Sequence, residues 1–514
     1  MTEANKWALG AGAGLLAAAA AWGCAADTES HTGATEQAIS PHDRYILTFS
    51  DELGAASAHQ YGEVLVDLGP QNAVAAEIPE NAIEELSNQP GIESIEVDPV
   101  RYPQGQEQPY GIEMVQADLV SDAEAGNKTV CVIDSGYDIA HEDLPDGEHV
   151  TKSDLGDTGD AFEDGCGHGT HVTGTIAALN NDVGVVGVLP SGLINIHVVK
   201  YFNDSCGASF ASDLVDAANE CVDAGADVIN MSLGGSLPSG AARRAFAEML
   251  DDGILPVAAA GNDGNNRKSY PASYDAVISV AAIDDSKEKA EFSQTNNQVE
   301  LAAPGVGVLS TVPVDSAEIA ELTSGGDDVS AAGMDGSPLS SGTGPLVDCG
   351  LGTDTCEDAE GAVCLIERGE VSFADKVLSC QAGGGAAAVI YNNEDGDLFG
   401  TLGDEETSIP SAGIRQDDGQ ALLAHRLGEE TTLEVEPGHY DRLNGTSMAS
   451  PHVAGVAALV WSHHPDSSAE EIRAALQESA KDLGEPGRNH EFGFGLVQAQ
   501  AALEFLGGGD GVAE

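Results

Sequence analysis

Two rhythms of apolar and polar residues succeed one another along this chain. Between residues 44 and 97 apolar runs at 45–49, 64–66 and 92–97 alternate with a polar, Ala-rich stretch, a short apolar segment and a helix-like segment at 83–86. That order predicts a small α+β unit of ferredoxin-like type, spanning 42–103 and closing in an exposed junction. From Gln106 onward, apolar strands at 128–133, 194–199, 227–232, 254–259 and 276–282 alternate with amphipathic helices at 169–179, 210–224 and 241–250. Such alternation predicts βαβ units, hence an α/β fold with a mostly parallel sheet covered by helices on both faces. After Leu309 the pattern changes. Residues 311–435 are rich in Gly, Asp and Cys and read as short strands, and the helical pattern returns at Gly445. We expect a β-rich domain inserted into a surface loop, splitting the α/β domain into 104–310 and 436–508.

Length agrees with several folded units, since 514 residues exceed the usual single domain. Charge adds a restriction. Lys and Arg total 20 against 86 Asp and Glu, for a formal net charge of −66, while the apolar share of 42% is that of a folded chain. The acidity therefore belongs to a folded surface that repels nucleic acid and anionic lipid and stays soluble when salt screens it. A high-salt habitat and an acidic secreted proteome fit equally well.

At the N-terminus, Lys6 precedes an apolar and small-residue run over 8–22 and then Gly23-Cys24-Ala25-Ala26. The run is short for a membrane span, so 1–26 reads as an export signal, with lipid acylation of Cys24 as the alternative. Eight further cysteines follow in an exported chain, where disulfides persist. Cys349, Cys356, Cys364 and Cys380 lack zinc-type spacing and read as disulfides, Cys206 is expected to pair with Cys221, and Cys131 and Cys166 are expected to be free thiols.

Three segments place reactive side chains at element boundaries. Val130-Cys131-Val132-Ile133-Asp134 is an apolar strand ending in a carboxylate, where open α/β sheets build their sites. Gly165-Cys166-Gly167-His168-Gly169-Thr170-His171 opens a helix, with glycines that allow close approach to His168; His171 reads as a core histidine. Asn444-Gly445-Thr446-Ser447-Met448-Ala449-Ser450-Pro451 sets Ser447 at a helix start, where free N–H groups favour an oxyanion, and Pro451 is expected in the first turn. Each residue alone has a structural alternative, because Asp and Ser also cap turns and helices.

In the order Asp, His, Ser, with these surroundings, the segments resemble the subtilases, over about 106–309 and 438–506. The order matches a standard template for that family's triad. The resemblance implies a subtilisin-like three-layer fold and a serine endopeptidase in which Asp134, His168 and Ser447 form the triad. Asn262, in the turn Ala260-Gly261-Asn262-Asp263-Gly264, is then the oxyanion donor, and Ser232, Leu233 and Gly234 an edge that pairs with an extended peptide. Ala258, Ala259 and Ala260, with Gly261, are expected to line a roomy pocket for the residue before the scissile bond.

The loop Leu179-Asn180-Asn181-Asp182-Val183-Gly184-Val185 offers hard oxygens suited to calcium, or is a plain Asn-rich turn. The resemblance implies a structural calcium held by Gln106, Asp143, Asn181 and the carbonyls of Leu179, Val183 and Val185. It also implies that 42–103 is an inhibitor-type propeptide, cut near 102–105, that assists folding and blocks the site. The insert resembles a protease-associated (PA) domain in Val363-Cys364-Leu365-Ile366-Glu367-Arg368-Gly369 and Ala386-Ala387-Ala388-Val389-Ile390-Tyr391. The expectation is a self-processed, secreted or cell-surface monomer acting on proteins or peptides, with no nucleic-acid partner. Two other readings compete with it, a silent protease scaffold used for binding and an esterase.

Overall fold

The computed structural model describes residues 44–49, 63–68, 73–78, 83, 86, 89, 91–97 and 106–508, other than 208, 395 and 404. The expected leader, Cys24 and the expected cleavage stretch 102–105 lie outside the described residues. The chain divides into two compact units, 1–101 and 102–514.

In the first unit, strands β1 (Arg44–Phe49), β2 (Glu63–Leu68), β3 (Ala73–Glu77) and β4 (Ile92–Val97) form an antiparallel sheet in the order β2-β3-β1-β4. With β1 and β3 central, this is the ferredoxin-like strand order. Leu47 and Phe49 on β1 and Val74 and Ala76 on β3, each pair two residues apart, pack together on one apolar face, which Ile78 and Leu86 complete. The third strand is the short apolar segment, whose Ala-rich composition hides its β character.

The second unit is built on seven parallel strands: β5 (Thr129–Asp134), β6 (Val150–Asp154), β7 (Asn195–Lys200), β8 (Val228–Met231), β9 (Leu255–Ala259), β10 (Ile278–Ile283) and β11 (Val299–Pro304). Their order is β11-β10-β9-β8-β5-β7-β6. Alternate residues of β5 enter opposite cores. Val130 and Val132 face helices α1 (His168–Ala177) and α4 (Thr446–His463), whereas Cys131 and Ile133 face α2 (Ala211–Asp223) and α3 (Gly240–Asp251). Three layers result, as expected. Helix α4 is buried along nearly its whole length, and Gly455 permits this, since a Cβ there would lie 2.9 Å from Val188. No helix among the described residues is long and apolar enough to cross a membrane.

The disulfides correct part of the cysteine reading. Cys131 bonds Cys221 and Cys166 bonds Cys206, so Cys206 does not pair with Cys221 and neither Cys131 nor Cys166 is free. Two periodicities explain the first pair: Cys131 shares the β5 face of Ile133, and Cys221 lies on the buried α2 stripe of Leu214, Ala217 and Ala218 opposite it. The other cysteines form Cys349–Cys356 and Cys364–Cys380.

The inserted segment leaves and re-enters on one antiparallel ribbon, β12 (Val308–Thr311) with β13 (Tyr440–Leu443), in which Val308 faces Leu443 and Thr311 faces Tyr440. Beyond it the chain is β-rich, dominated by the antiparallel pair Ala317–Ser324 and Glu430–Gly438. Two helices, Phe373–Ala382 and Gln416–His425, also occur there, beyond the short strands expected.

Candidate active site

Asp134 ends β5 at the C-terminal edge of the sheet and is fully buried. Its Oδ1 lies 2.7 Å from His168 Nδ1 and also accepts the Ser135 N–H at 2.8 Å. The approach of α1 to the strand end depends on Gly169, where a Cβ would come within 2.9 Å of Gly136 N. Gly167 caps α1 in the left-handed region at φ 83°. Burial alone would lower the His168 pKa, but the charge and hydrogen bond of Asp134, with a smaller contribution from Asp164, raise it above the ordinary imidazole value. Asp164 itself went unrecognised in the sequence. Buried, it accepts Ser135 Oγ, Gly167 N, Thr170 N and Thr170 Oγ1 at 2.7–2.9 Å, and so ties the His168 loop to the strand end. Its signal was an Asp four residues before the histidine, at a helix start.

Ser447 is the second residue of α4. Its Oγ donates to Ser232 O at 3.1 Å and, among the described residues, makes no hydrogen bond to His168, although α1 and α4 pack together. Catalytic hydrogen bonds are often loose before substrate binds. Pro451 is not in the first turn but sixth in the helix. This position has a use: proline cannot bond the carbonyl four residues back, and that carbonyl, Ser447 O, instead accepts Ser232 Oγ at 2.6 Å. Asn230 and Ser450 continue the buried network, with Asn230 Nδ2 to Ser232 Oγ at 3.1 Å and Ser450 Oγ to Asn230 Oδ1 at 2.7 Å.

Asn262 Oδ1 accepts both Thr446 N at 2.9 Å and Thr446 Oγ1 at 2.8 Å. A backbone N–H can only donate, so the Asn262 amide is oriented and its Nδ2 faces the other way. Ser447 N, at the helix start, has no intrahelical partner. These two donors meet at one place: the point where Gly445 lacks a Cβ is 3.4 Å from Ser447 N and 3.5 Å from Asn262 Nδ2. An oxygen acquiring negative charge fits between them.

Residues 126–337 and 426–495 match the model of the Subtilase family, and 342–422 match that of the PA domain. Subtilisin E of Bacillus subtilis (strain 168) is 36% identical over 481 residues, covering 90% of this chain and 91% of its own length. This chain belongs to the subtilase family. Subtilisin J of Geobacillus stearothermophilus is 37% identical over the same coverage. Among solved structures, the psychrophilic subtilisin-like protease Apa1 of the Antarctic psychrotroph Pseudoalteromonas sp. AS-11 matches with a TM-score of 0.66 and 38% identity, covering 80% of this chain and all of that one. The chain is therefore a serine-type endopeptidase, a subtilase carrying a PA domain.

In this subtilase the expected substrate segment is not a sheet edge. β8 lies inside the sheet and ends at Met231, and the chain then leaves the sheet until Gly235 exchanges two 2.8 Å hydrogen bonds with Tyr270. Between these points, Leu233 and Gly234 have no backbone hydrogen-bond partner among the described residues. Free edge-like backbone exists, but in a loop beyond the strand. The alanines also differ from expectation: Ala258 and Ala260 pack into opposite cores, and Ala259 is nearly buried beside them. The adjoining cavity, of about 220 Å³, is instead walled by Tyr201, Leu214, Leu233, Leu237, Tyr270 and Tyr274. These side chains come from distant segments, and only Leu233 was visible in advance.

The calcium candidates assemble. Gln106 Nε2 lies 2.6 Å from Leu179 O, 2.9 Å from Val183 O, 3.1 Å from Val185 O and 3.4 Å from Asn181 Oδ1. Four acceptors exceed what the two hydrogens of an amide serve. Turning the amide over, so that Oε1 points inward, would make the same place a ring of oxygens, a set that fits a hard cation. Asp143 is fully buried with Oδ1 lacking a partner, while Oδ2 accepts Val185 N at 2.8 Å. Burial pushes its pKa up to about 7. His171, as expected, is a core residue: burial holds it down to about 3, and Nε2 reaches Val308 O at 2.9 Å and Asp441 O at 3.2 Å.

Proposed function

We propose that this subtilase is a secreted endopeptidase, made as a zymogen that processes itself, with Asp134, His168 and Ser447 as its triad. The observation that carries the triad reading is the pair of donors, Ser447 N and Asn262 Nδ2, both within 3.5 Å of one point at the start of α4. Rotation of Ser447 about χ1 releases Ser232 O and presents Oγ to the imidazole. His168 takes the hydroxyl proton as Oγ adds to the peptide carbonyl, and the oxyanion settles between the two donors. The imidazolium, stabilised by Asp134, then protonates the leaving amine, and an ester to Ser447 remains. Water, deprotonated by His168, releases the acyl group and restores the serine. Bound peptide extends along Leu233 and Gly234 as an added strand, with an apolar side chain in the adjoining cavity.

Calcium, held by Gln106, Asp143, Asn181 and the carbonyls of Leu179, Val183 and Val185, would neutralise buried oxygens and brace the loop that follows α1. It takes no part in proton transfer. The 42–103 unit acts as propeptide, and cutting near 102–105 brings a new N-terminus close to Gln106.

Expression of the full chain beside Ser447→Ala tests this reading. Wild type should release a fragment of about the 1–103 size and digest casein, whereas the variant should do neither. An intact, inactive wild type would exclude self-processing, and casein digestion by the variant would move the nucleophile elsewhere.

A further inference from the structure

Where the insert returns to the protease core, one side chain reaches the oxygen ring. Tyr440 begins β13, and its ring occupies the space over Gly184, in the loop that carries the Val183 and Val185 carbonyls; a Cβ at Gly184 would overlap ring atoms. The ring also meets His141 edge-on at 5.3 Å, two residues before Asp143, whose N–H donates to His141 Nδ1 at 3.1 Å. Two buried oxygens are left over here: apart from each other, Asp143 Oδ1 and the Tyr440 hydroxyl have no hydrogen-bond partner among the described residues. A buried polar atom left unpaired is costly, more so when charged, so two together call for an occupant or a small adjustment that satisfies both.

We infer that Tyr440 is part of the calcium apparatus, its hydroxyl donating to Asp143 from outside the oxygen ring and holding that carboxylate toward the ion. This rests on the calcium reading above. A hydroxyl donor restricts the carboxylate to one rotamer and compensates the oxygen that the ion leaves free. The arrangement also has a direction. β13 continues from Tyr440 through Leu443 to Asn444 and Ser447, and is clamped to α1 by His171, which takes Val308 O from one ribbon strand and Asp441 O from the other. An ion that fixes Asp143 thereby fixes the first residue of the strand leading to the nucleophile, at the root of the insert.

The test uses mature protein inactivated with a sulfonyl fluoride, stripped with chelator and titrated with calcium chloride by calorimetry. Tyr440→Phe keeps the ring against Gly184 and His141 and removes only the hydroxyl. Its calcium affinity should fall roughly 10- to 100-fold, the usual effect of losing such a supporting partner, and Asp143→Asn should fall further. Amide exchange over 440–446 should slow on calcium addition in wild type and much less in Tyr440→Phe. Binding by Tyr440→Phe within twofold of wild type overturns the role of Tyr440 while leaving the cage intact. Absence of calcium binding by wild type, or undiminished binding by Asp143→Asn, overturns the cage itself and Tyr440 with it.

Discussion

Gly445→Ala is a perturbation that separates catalysis from folding. Gly445 has φ 161° and ψ 155°, extended backbone that alanine adopts without strain. Its new methyl would rest 3.4 Å from Ser447 N and 3.5 Å from both Asn262 Nδ2 and Met448 Sδ, ordinary van der Waals contacts. Stability should therefore change by less than about 1 kcal/mol, the range for Gly→Ala at permissive positions. Catalysis should not escape so lightly. An oxyanion must come within about 2.7–3.1 Å of its donors, and a methyl standing against both keeps it out. Loss of one donor costs roughly 10²- to 10³-fold in kcat, or about 2.7–4 kcal/mol, and blocking both costs at least that much. Because the variant should also fail to process itself, mature protein is prepared with a trace of wild type added in trans and then removed. Steady-state hydrolysis of a peptide anilide gives kcat and KM, and thermal unfolding reports the fold. An activity within threefold of wild type, at an unchanged melting temperature, would refute the assignment of the two amides as the anion site.

The remaining predictions concern the imidazole and the sulfurs. His168 must be neutral to accept the serine proton, and Asp134 raises its pKa against the effect of burial; kcat/KM should thus fall with decreasing pH through a value above that of free imidazole. Asp134→Asn should move this acid limb to lower pH and reduce kcat roughly 10⁴-fold, whereas an unmoved limb in the pH–rate profile would detach Asp134 from the imidazole. Replacing Cys131 and Cys221 together by Ala opens a crosslink between residues 90 apart in sequence and should cost roughly 4.6 kcal/mol by loop entropy. Denaturant unfolding reads the loss, and an unchanged midpoint would show that the core between β5 and α2 holds without it.

Much of this protein is determined locally, and there the sequence suffices. The 3.6-residue stripe on α2 and the near-continuous apolar strands β5 and β7 to β10 depend on backbone geometry that each segment carries in itself, which makes the three-layer α/β core legible in advance. The positions of Asp134, His168 and Ser447 at element ends are legible for the same reason. What crosses between segments is not. The Cys131–Cys221 bond, the Asp164 carboxylate tying a loop to Ser135, and the 220 Å³ cavity walled from Tyr201 to Tyr274 depend on which faces meet when the layers close. Pro451 is the clearest case. In sequence it reads as a harmless first-turn residue, but packing sets it one turn deeper, where its missing N–H frees the Ser447 carbonyl for Ser232. Side-chain chemistry and periodicity belong to each residue and its neighbours in sequence. Hydrogen-bond partners are decided by distance in space, which only the folded chain supplies.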